Sequence, residues 1–279
     1  MRLAAISRRH GRGTRACTAR ACIVLATLLA AAPCFPMDPH RAGQHYAGVA
    51  YSPRSGQIAY REEHWLYELN GVSARLVLYR CASGQAFARK LVMNTPDAIA
   101  PDFDFVDARD GYREGVRGTG NTRTVYVQKS GASAMRSAPL PARQGAVIDA
   151  GFDAYVGSHW SDLAAGRALL IAFLVPSRLG YVQLKLDSAF TSVVDGAPAT
   201  NLRLSLAAWY GFIAPSIELT YGTDDRRLLR FQGISNIHDS AGNSQNVRIE
   251  FPAALRFAPP AQQEIDAATA APLVGKCAS

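Results

Sequence analysis

Apolar and polar residues alternate with a period of two along most of the chain. Val182, Leu184 and Leu186 are interleaved with Gln183, Lys185 and Asp187, and Val247, Ile249 and Phe251 with Arg248 and Glu250. Each segment therefore has one apolar and one wet face, as a half-buried strand does. Ile217 to Tyr221 and Leu229 to Phe231 repeat the alternation on either side of Gly222-Thr223-Asp224-Asp225, which is turn chemistry. Arg75 to Cys81 and Gln85 to Met93 flank Ala82-Ser83-Gly84, and Ile237 and Val247 bracket a polar connection from Asp239 to Asn243. Short connections of this kind imply antiparallel neighbours.

One stretch breaks the pattern. Ile148, Phe152, Tyr155, Val156, Trp160 and Leu163 fall at helical spacing between Asp149, an expected N-cap, and Gly166, an expected stop. Gly151 and Gly157 each weaken such a helix by about 1 kcal/mol, so it needs a partner surface, and the apolar face of the sheet is the obvious one. Ala168 to Val175 and Leu202 to Ile213 are more apolar than the rest but too short to span a bilayer, and Pro176 and Pro215 stop them. They read as buried strands or as the floor of a cavity.

The N-terminus reads as an export signal covering residues 1–34. Arg2, Arg8, Arg9, Arg12, Arg15 and Arg20 precede an apolar run from Cys22 to Ala32, with no acidic residue before Asp38. That run is too short for a membrane span, which needs about 20 apolar residues. Cleavage near Ala32 to Cys34 and general secretion are expected; an uncleaved anchor, a mitochondrial-type leader and lipidation at Cys34 are the alternatives. Residues 35–54 read as an irregular arm, 55–257 as one antiparallel β domain without an internal linker, and 258–279 as a loose tail rich in Ala, Pro and Gln.

Cleavage changes the charge. The whole chain carries 30 basic and 22 acidic residues, net +8, but the leader holds six of the arginines, leaving 24 against 22. The basic balance belongs mostly to the leader, which removes the main support for nucleic-acid binding. Of five cysteines, Cys81 and Cys277 lie in the body, where an oxidising compartment permits a disulfide; two free thiols are the alternative.

The chain carries no metal spacing of Cys and His, no Gly-x-Ser-x-Gly elbow and no cofactor motif. Gly233-Ile234-Ser235-Asn236-Ile237 lacks the last glycine of such an elbow. Asp102 and Asp104 alternate with Phe103 and Phe105 and so share a strand face, which reads as a solvated face paired with Arg109 and Arg113. Glu62 and Glu63 are consecutive and point to opposite faces. Trp65, Phe87, Trp160, Tyr181, Trp209, Tyr210 and Phe212 either line a ligand cavity or fill an ordinary core.

The stretch from Tyr221 to Ile249, with Phe231-Gln232-Gly233-Ile234-Ser235-Asn236-Ile237, resembles the ending of a group of uncharacterised exported bacterial proteins. Asp149-Ala150-Gly151-Phe152-Asp153 with Trp160, and Pro101-Asp102-Phe103 leading to Gly111-Tyr112, are similar too. More remotely, hairpins followed by one helix and more hairpins resemble periplasmic lipoprotein carriers of the LolA/LolB type. That likeness implies a curved antiparallel half-barrel holding acyl chains beneath helices, although the carriers have more than one lid helix.

The fold expected is thus mainly β: one twisted antiparallel sheet forming a half or incomplete barrel, with one helix, 149–165, on its concave face. The leading functional expectation is a non-enzymatic periplasmic or secreted module for a lipid or other apolar ligand, peripherally associated with the cell envelope. Its ligand residues would be Trp65, Phe152, Val156, Trp160, Leu184, Trp209, Leu219 and Phe231, with no cofactor, metal or nucleic acid. The alternatives are a hydrolase using Asp102 and Asp104 with His64 or His159, and an assembly factor acting through a protein surface.

Overall fold

The computed structural model describes residues 43–132, 134–207, 216–239 and 242–278. The first run of strands is β1 (Gln44–Tyr51), β2 (Ile58–Leu69), β3 (Val72–Arg80), β4 (Ala86–Met93), β5 (Asp102–Asp107), β6 (Tyr112–Arg117), β7 (Thr124–Gln128) and β8 (Arg136–Pro139). The second is β9 (Ala146–Val147), β10 (Leu169–Val175), β11 (Gly180–Val194), β12 (Ala197–Leu206), β13 (Ile217–Gly222), β14 (Leu228–His238) and β15 (Ser244–Glu250), with β16 (Arg256–Phe257) beside β1. All belong to one sheet, ordered β8-β7-β6-β5-β4-β3-β2-β1-β15-β14-β13-β12-β11-β10-β9. The sheet is therefore two antiparallel meanders joined where β1 pairs with β15; among the described residues only the short β9 runs parallel to its neighbour, β10.

The connection between the meanders dictates the curl. The chain leaves one edge at Pro139 and reaches the other at Ala146, a stretch that spans at most about 25 Å. Fifteen strands laid flat would be roughly 67 Å wide, so the sheet has to wrap until its edges approach. The turn at Pro176–Arg178 packs against β6 and β7, and Asn236 on β14 donates to Glu114 on β6 at 3.2 Å. No ladder joins β8 to β9 among the described residues, so the barrel is incomplete.

Register assigns one face to the interior. Directly paired residues link Ile171, Leu184 and Leu206, then Leu202, Leu219, Phe231, Ile249, Ala50 and Tyr60, and then Glu62, Tyr79, Ala88 and Asp107; these runs share one face, because Leu202 and Leu206 on β12, and Tyr60 and Glu62 on β2, stand an even number of residues apart. Most of the main core lies on this face, with Tyr60, Val77, Phe87, Phe105, Val125 and Ile249 all buried.

The structure departs from the sequence reading in three places. Residues 44–51, read as part of an irregular arm, form β1 in the middle of the sheet. Its inward positions are Tyr46, Gly48 and Ala50, so no apolar alternation shows; Gly48 is small because the Phe251 ring occupies the place a Cβ would take, 2.4 Å away. The tail read as loose contains α3 (Gln262–Ala270), whose Ile265 and Ala268 pack on the outer face against Trp65, Tyr67, Leu76 and Leu78. Arg89 donates to the carbonyls of Thr269 and Ala271, capping the end of α3, and Cys277 is disulfide-bonded to Cys81.

The third departure is the helix. Residues 149–165 form α1 (Gly151–Ser158) and α2 (Trp160–Ala164), interrupted at His159, so with α3 there are three α-helices among the described residues where one was expected. Ser158 breaks the run locally, its hydroxyl bonding back to the Tyr155 carbonyl at 2.9 Å. Asp149 is not a cap: it sits at φ +43°, and its carboxylate accepts from Lys90 at 2.6 Å. Gly151 answers to packing rather than to helix propensity, since a Cβ there would lie 2.0 Å from the Ile99 carbonyl oxygen.

Candidate ligand site

Six of the eight residues expected to bind ligand lie together. Phe152, Val156 and Trp160, from α1 and α2, form one buried cluster with Leu219, Leu186, Leu202 and Tyr221, and Leu184 and Phe231 pack against its border. Trp65 lies elsewhere: it is on the outer face beneath α3, with its indole N–H donating to Glu264 at 3.3 Å. Period-two alternation places Trp65 opposite His64, but it takes the unforeseen α3 to explain why an outward tryptophan is buried. Trp209, with Tyr210 and Phe212, lies outside the described residues.

Beside this apolar cluster the inner face carries an ionisable network that the sequence reading missed. Asp153 on α1 accepts from the Tyr221 hydroxyl at 2.9 Å and pairs with Arg75 on β3 at 3.3 Å. Burial, together with that carboxylate, pushes the Tyr221 hydroxyl well above its ordinary pKa, so it stays a donor. His64 Nε2 lies 3.1 Å from Glu62, and its ring stacks on Tyr46 with centroids 4.6 Å apart. Burial lowers the His64 pKa despite the bond to Glu62. Glu114, also buried, has its carboxyl pKa raised by burial, opposed by hydrogen bonds from Tyr112 and Asn236 and by the Lys90 charge. The signal in the sequence for this set is parity alone: Tyr46, Glu62, His64, Arg75 and Lys90 all alternate in phase with apolar core positions.

At the margin of α1 the network opens into a cavity of about 30 Å³, lined by Gln44, Tyr46, Arg75, Asp153, Tyr221, Arg226, Arg227, Leu228, Phe251 and Arg256. Arg226 lies over the Trp160 ring at 5.8 Å and Arg256 over Tyr46 at 5.7 Å. The groove thus has an aromatic floor and a cationic rim, and continues the apolar cluster under α1 and α2 through Tyr221 and Leu228.

The hydrolase candidates do not converge. Asp102 and Asp104 are on the outer face, where Asp102 pairs with Arg123 at 2.6 Å and Asp104 with Arg113 at 2.9 Å. His64 faces inward, and His159 is turned onto the Tyr155 ring and carbonyl. Ser130, His238 and Asp110 do meet, but Ser130 Oγ at 3.2 Å and Asp110 Oδ2 at 2.9 Å share the same imidazole nitrogen, Nδ1. A nucleophile–base–orienter relay needs both ring nitrogens. No group of His, Cys, Asp and Glu suited to a metal ion occurs among the described residues.

No family model matches the chain, and no curated protein matches it. Among solved structures the chain is similar to the beta-barrel-like protein of the domain of unknown function DUF1849 from Brucella abortus. The two share 9% identity at a TM-score of 0.48, over 76% of this chain and 97% of the other.

Proposed function

We propose that this chain is an exported, non-enzymatic binding module of the bacterial cell envelope that takes a lipid or other amphiphile on the inner face of its half-barrel, with α1 and α2 as the cover. The carrying observation is the continuity between the apolar cluster under those helices and the open groove at their margin. A ligand can seat a polar end in the groove and place its apolar part where Phe152, Val156 and Trp160 now meet Leu219 and Tyr221. The groove itself is too small for an acyl chain, since ligand pockets run to about 300 Å³ and above. Loading therefore requires α1 and α2, two short helices separated at His159, to lift from the sheet.

Export is supported by the arginine-rich leader and by the Cys81–Cys277 bond, which suits an oxidising compartment. An assembly factor working through a free sheet edge fits less well, because both edges are blunt: β8 is four residues long and ends at Pro139, and β9 is two residues long. The test is organic extraction of the protein purified from its native envelope, followed by mass spectrometry. A stoichiometric amphiphile is expected. Recovery of the protein with no bound small molecule, together with failure to take up any amphiphile added in vitro, would overturn the reading.

A further inference from the structure

We infer that the groove beside α1 is an oxyanion site, and that the ligand carries a phosphate or carboxylate head there. This deepens the binding-module reading and rests on it. Four arginines, Arg75, Arg226, Arg227 and Arg256, line the groove against a single carboxylate, Asp153. Both oxygens of that carboxylate are already engaged, one by Tyr221 and the other by Arg75. Arg227 pairs with Asp225 at 3.7 Å, and among the described residues no carboxylate lies within ion-pair distance of Arg226 or Arg256, so these two guanidinium groups bring an excess of positive charge to a half-buried rim.

Such an arrangement carries a cost that a bound anion removes. At Arg256, burial and then the neighbouring Arg227 charge depress the guanidinium pKa, with Tyr46 and Asp225 opposing them more weakly. The backbone gives a second, independent sign. Arg226 holds φ +54° at the turn between β13 and β14, a left-handed conformation that glycine or asparagine adopts at less cost. Strain of this kind concentrates at functional positions, and here it places a guanidinium over Trp160 at the groove mouth. Guanidinium groups suit planar and tetrahedral oxyanions because they donate in pairs at fixed geometry. A groove of about 30 Å³ admits a head group of a few heavy atoms and leaves the remainder of the molecule outside it or under the cover.

The experiment is calorimetric titration of the purified full chain, below micelle-forming concentrations, with four probes: monododecyl phosphate, inorganic phosphate, dodecyltrimethylammonium and dodecanol. Wild type is compared with Arg226→Gly, which also relieves the backbone, and with Arg226→Gly/Arg256→Gln. Saturable one-to-one binding of monododecyl phosphate is expected, weakened at least tenfold in the double variant, with little binding of the cationic and neutral probes. If inorganic phosphate binds as tightly and with the same dependence on the arginines, the oxyanion site stands and the amphiphile reading fails. Equal binding of all three dodecyl probes, unaffected by the substitutions, would keep the binding module and overturn the oxyanion site. Binding of none would overturn both.

Discussion

The Tyr221 hydroxyl on β13 donates to Asp153 on α1 at 2.9 Å, which is a direct polar bond between the helical segment and the inner face of the sheet. Tyr221 is 1% exposed, so its hydroxyl has no solvent to fall back on. Asp153 also holds Arg75 from the first meander, so one carboxylate ties α1 to both halves of the sheet. Asp153→Ala should destabilise the protein by about 3 kcal/mol, because it takes the anion from two buried partners. Asp153→Asn, which keeps an acceptor for Tyr221, should cost less, and Tyr221→Phe about 1 kcal/mol. Urea unfolding of the three variants and of the Asp153→Asn/Tyr221→Phe double variant checks this; additive costs would show that the two groups do not interact.

The disulfide closes a separation of 196 residues and holds the segment after α3 to the loop following β3. Cys277→Ser should lower stability by roughly 5 kcal/mol in the chain-entropy account. It should also loosen α3, which covers Trp65 and Tyr67. Limited proteolysis is expected to cut the variant after about residue 258 while the wild type resists, with a red shift in tryptophan emission. Equal resistance of the two chains would show that the noncovalent contacts of α3, the packing of Ile265 and Ala268 with the Arg89 and Trp65 hydrogen bonds, anchor the helix without the disulfide.

His64 should make stability fall with acidification. Burial holds its pKa below the ordinary 6.5, so as pH drops from 6.5 through the native value the unfolded chain takes up a proton that the folded chain refuses. The folded state loses stability over that window and is unaffected by this group above it. His64→Gln should show a shallower decline than wild type in denaturant midpoints measured from about pH 7 to about pH 5. Parallel declines would mean that the imidazole is protonated alike in both states.

The hairpins β3–β4, β13–β14 and β14–β15 and the core of β11 were legible because each wet residue has an apolar neighbour of opposite facing, whereas β6 to β9 and the β11–β12 hairpin were not foreseen. Leu184 and Leu186 against Gln183 and Lys185 hold in the structure, as do Val247, Ile249 and Phe251 against Arg248 and Glu250. β1 was illegible because its inner side is made of small or amphipathic residues that fit under Phe251, a property of the neighbour rather than of the segment. α3 was illegible because only Ile265 and Ala268 of its nine residues are buried, too weak a stripe to stand out from an Ala-rich tail. Gly151 was read through helix propensity, whereas its cause is the Ile99 carbonyl pressed against it from a distant loop. The groove escaped for a similar reason: Arg75, Arg226 and Arg256 come from three separated segments and meet only once the two meanders have curled together.

The central claim, that α1 and α2 cover a ligand-binding face, is tested most directly at Trp160, which is buried against Tyr221 with ring centroids 6.3 Å apart. The measurement is saturable binding of a fluorescent fatty-acyl probe to wild type and to Trp160→Ala, alongside unfolding of both. The structure packs this ring, so Trp160→Ala should lower stability by about 3 kcal/mol. The account predicts one-to-one probe binding by wild type with a change in tryptophan emission, and altered affinity in the variant. A stability loss of that size with no saturable binding by the wild type would contradict it, leaving α1 and α2 as plain core.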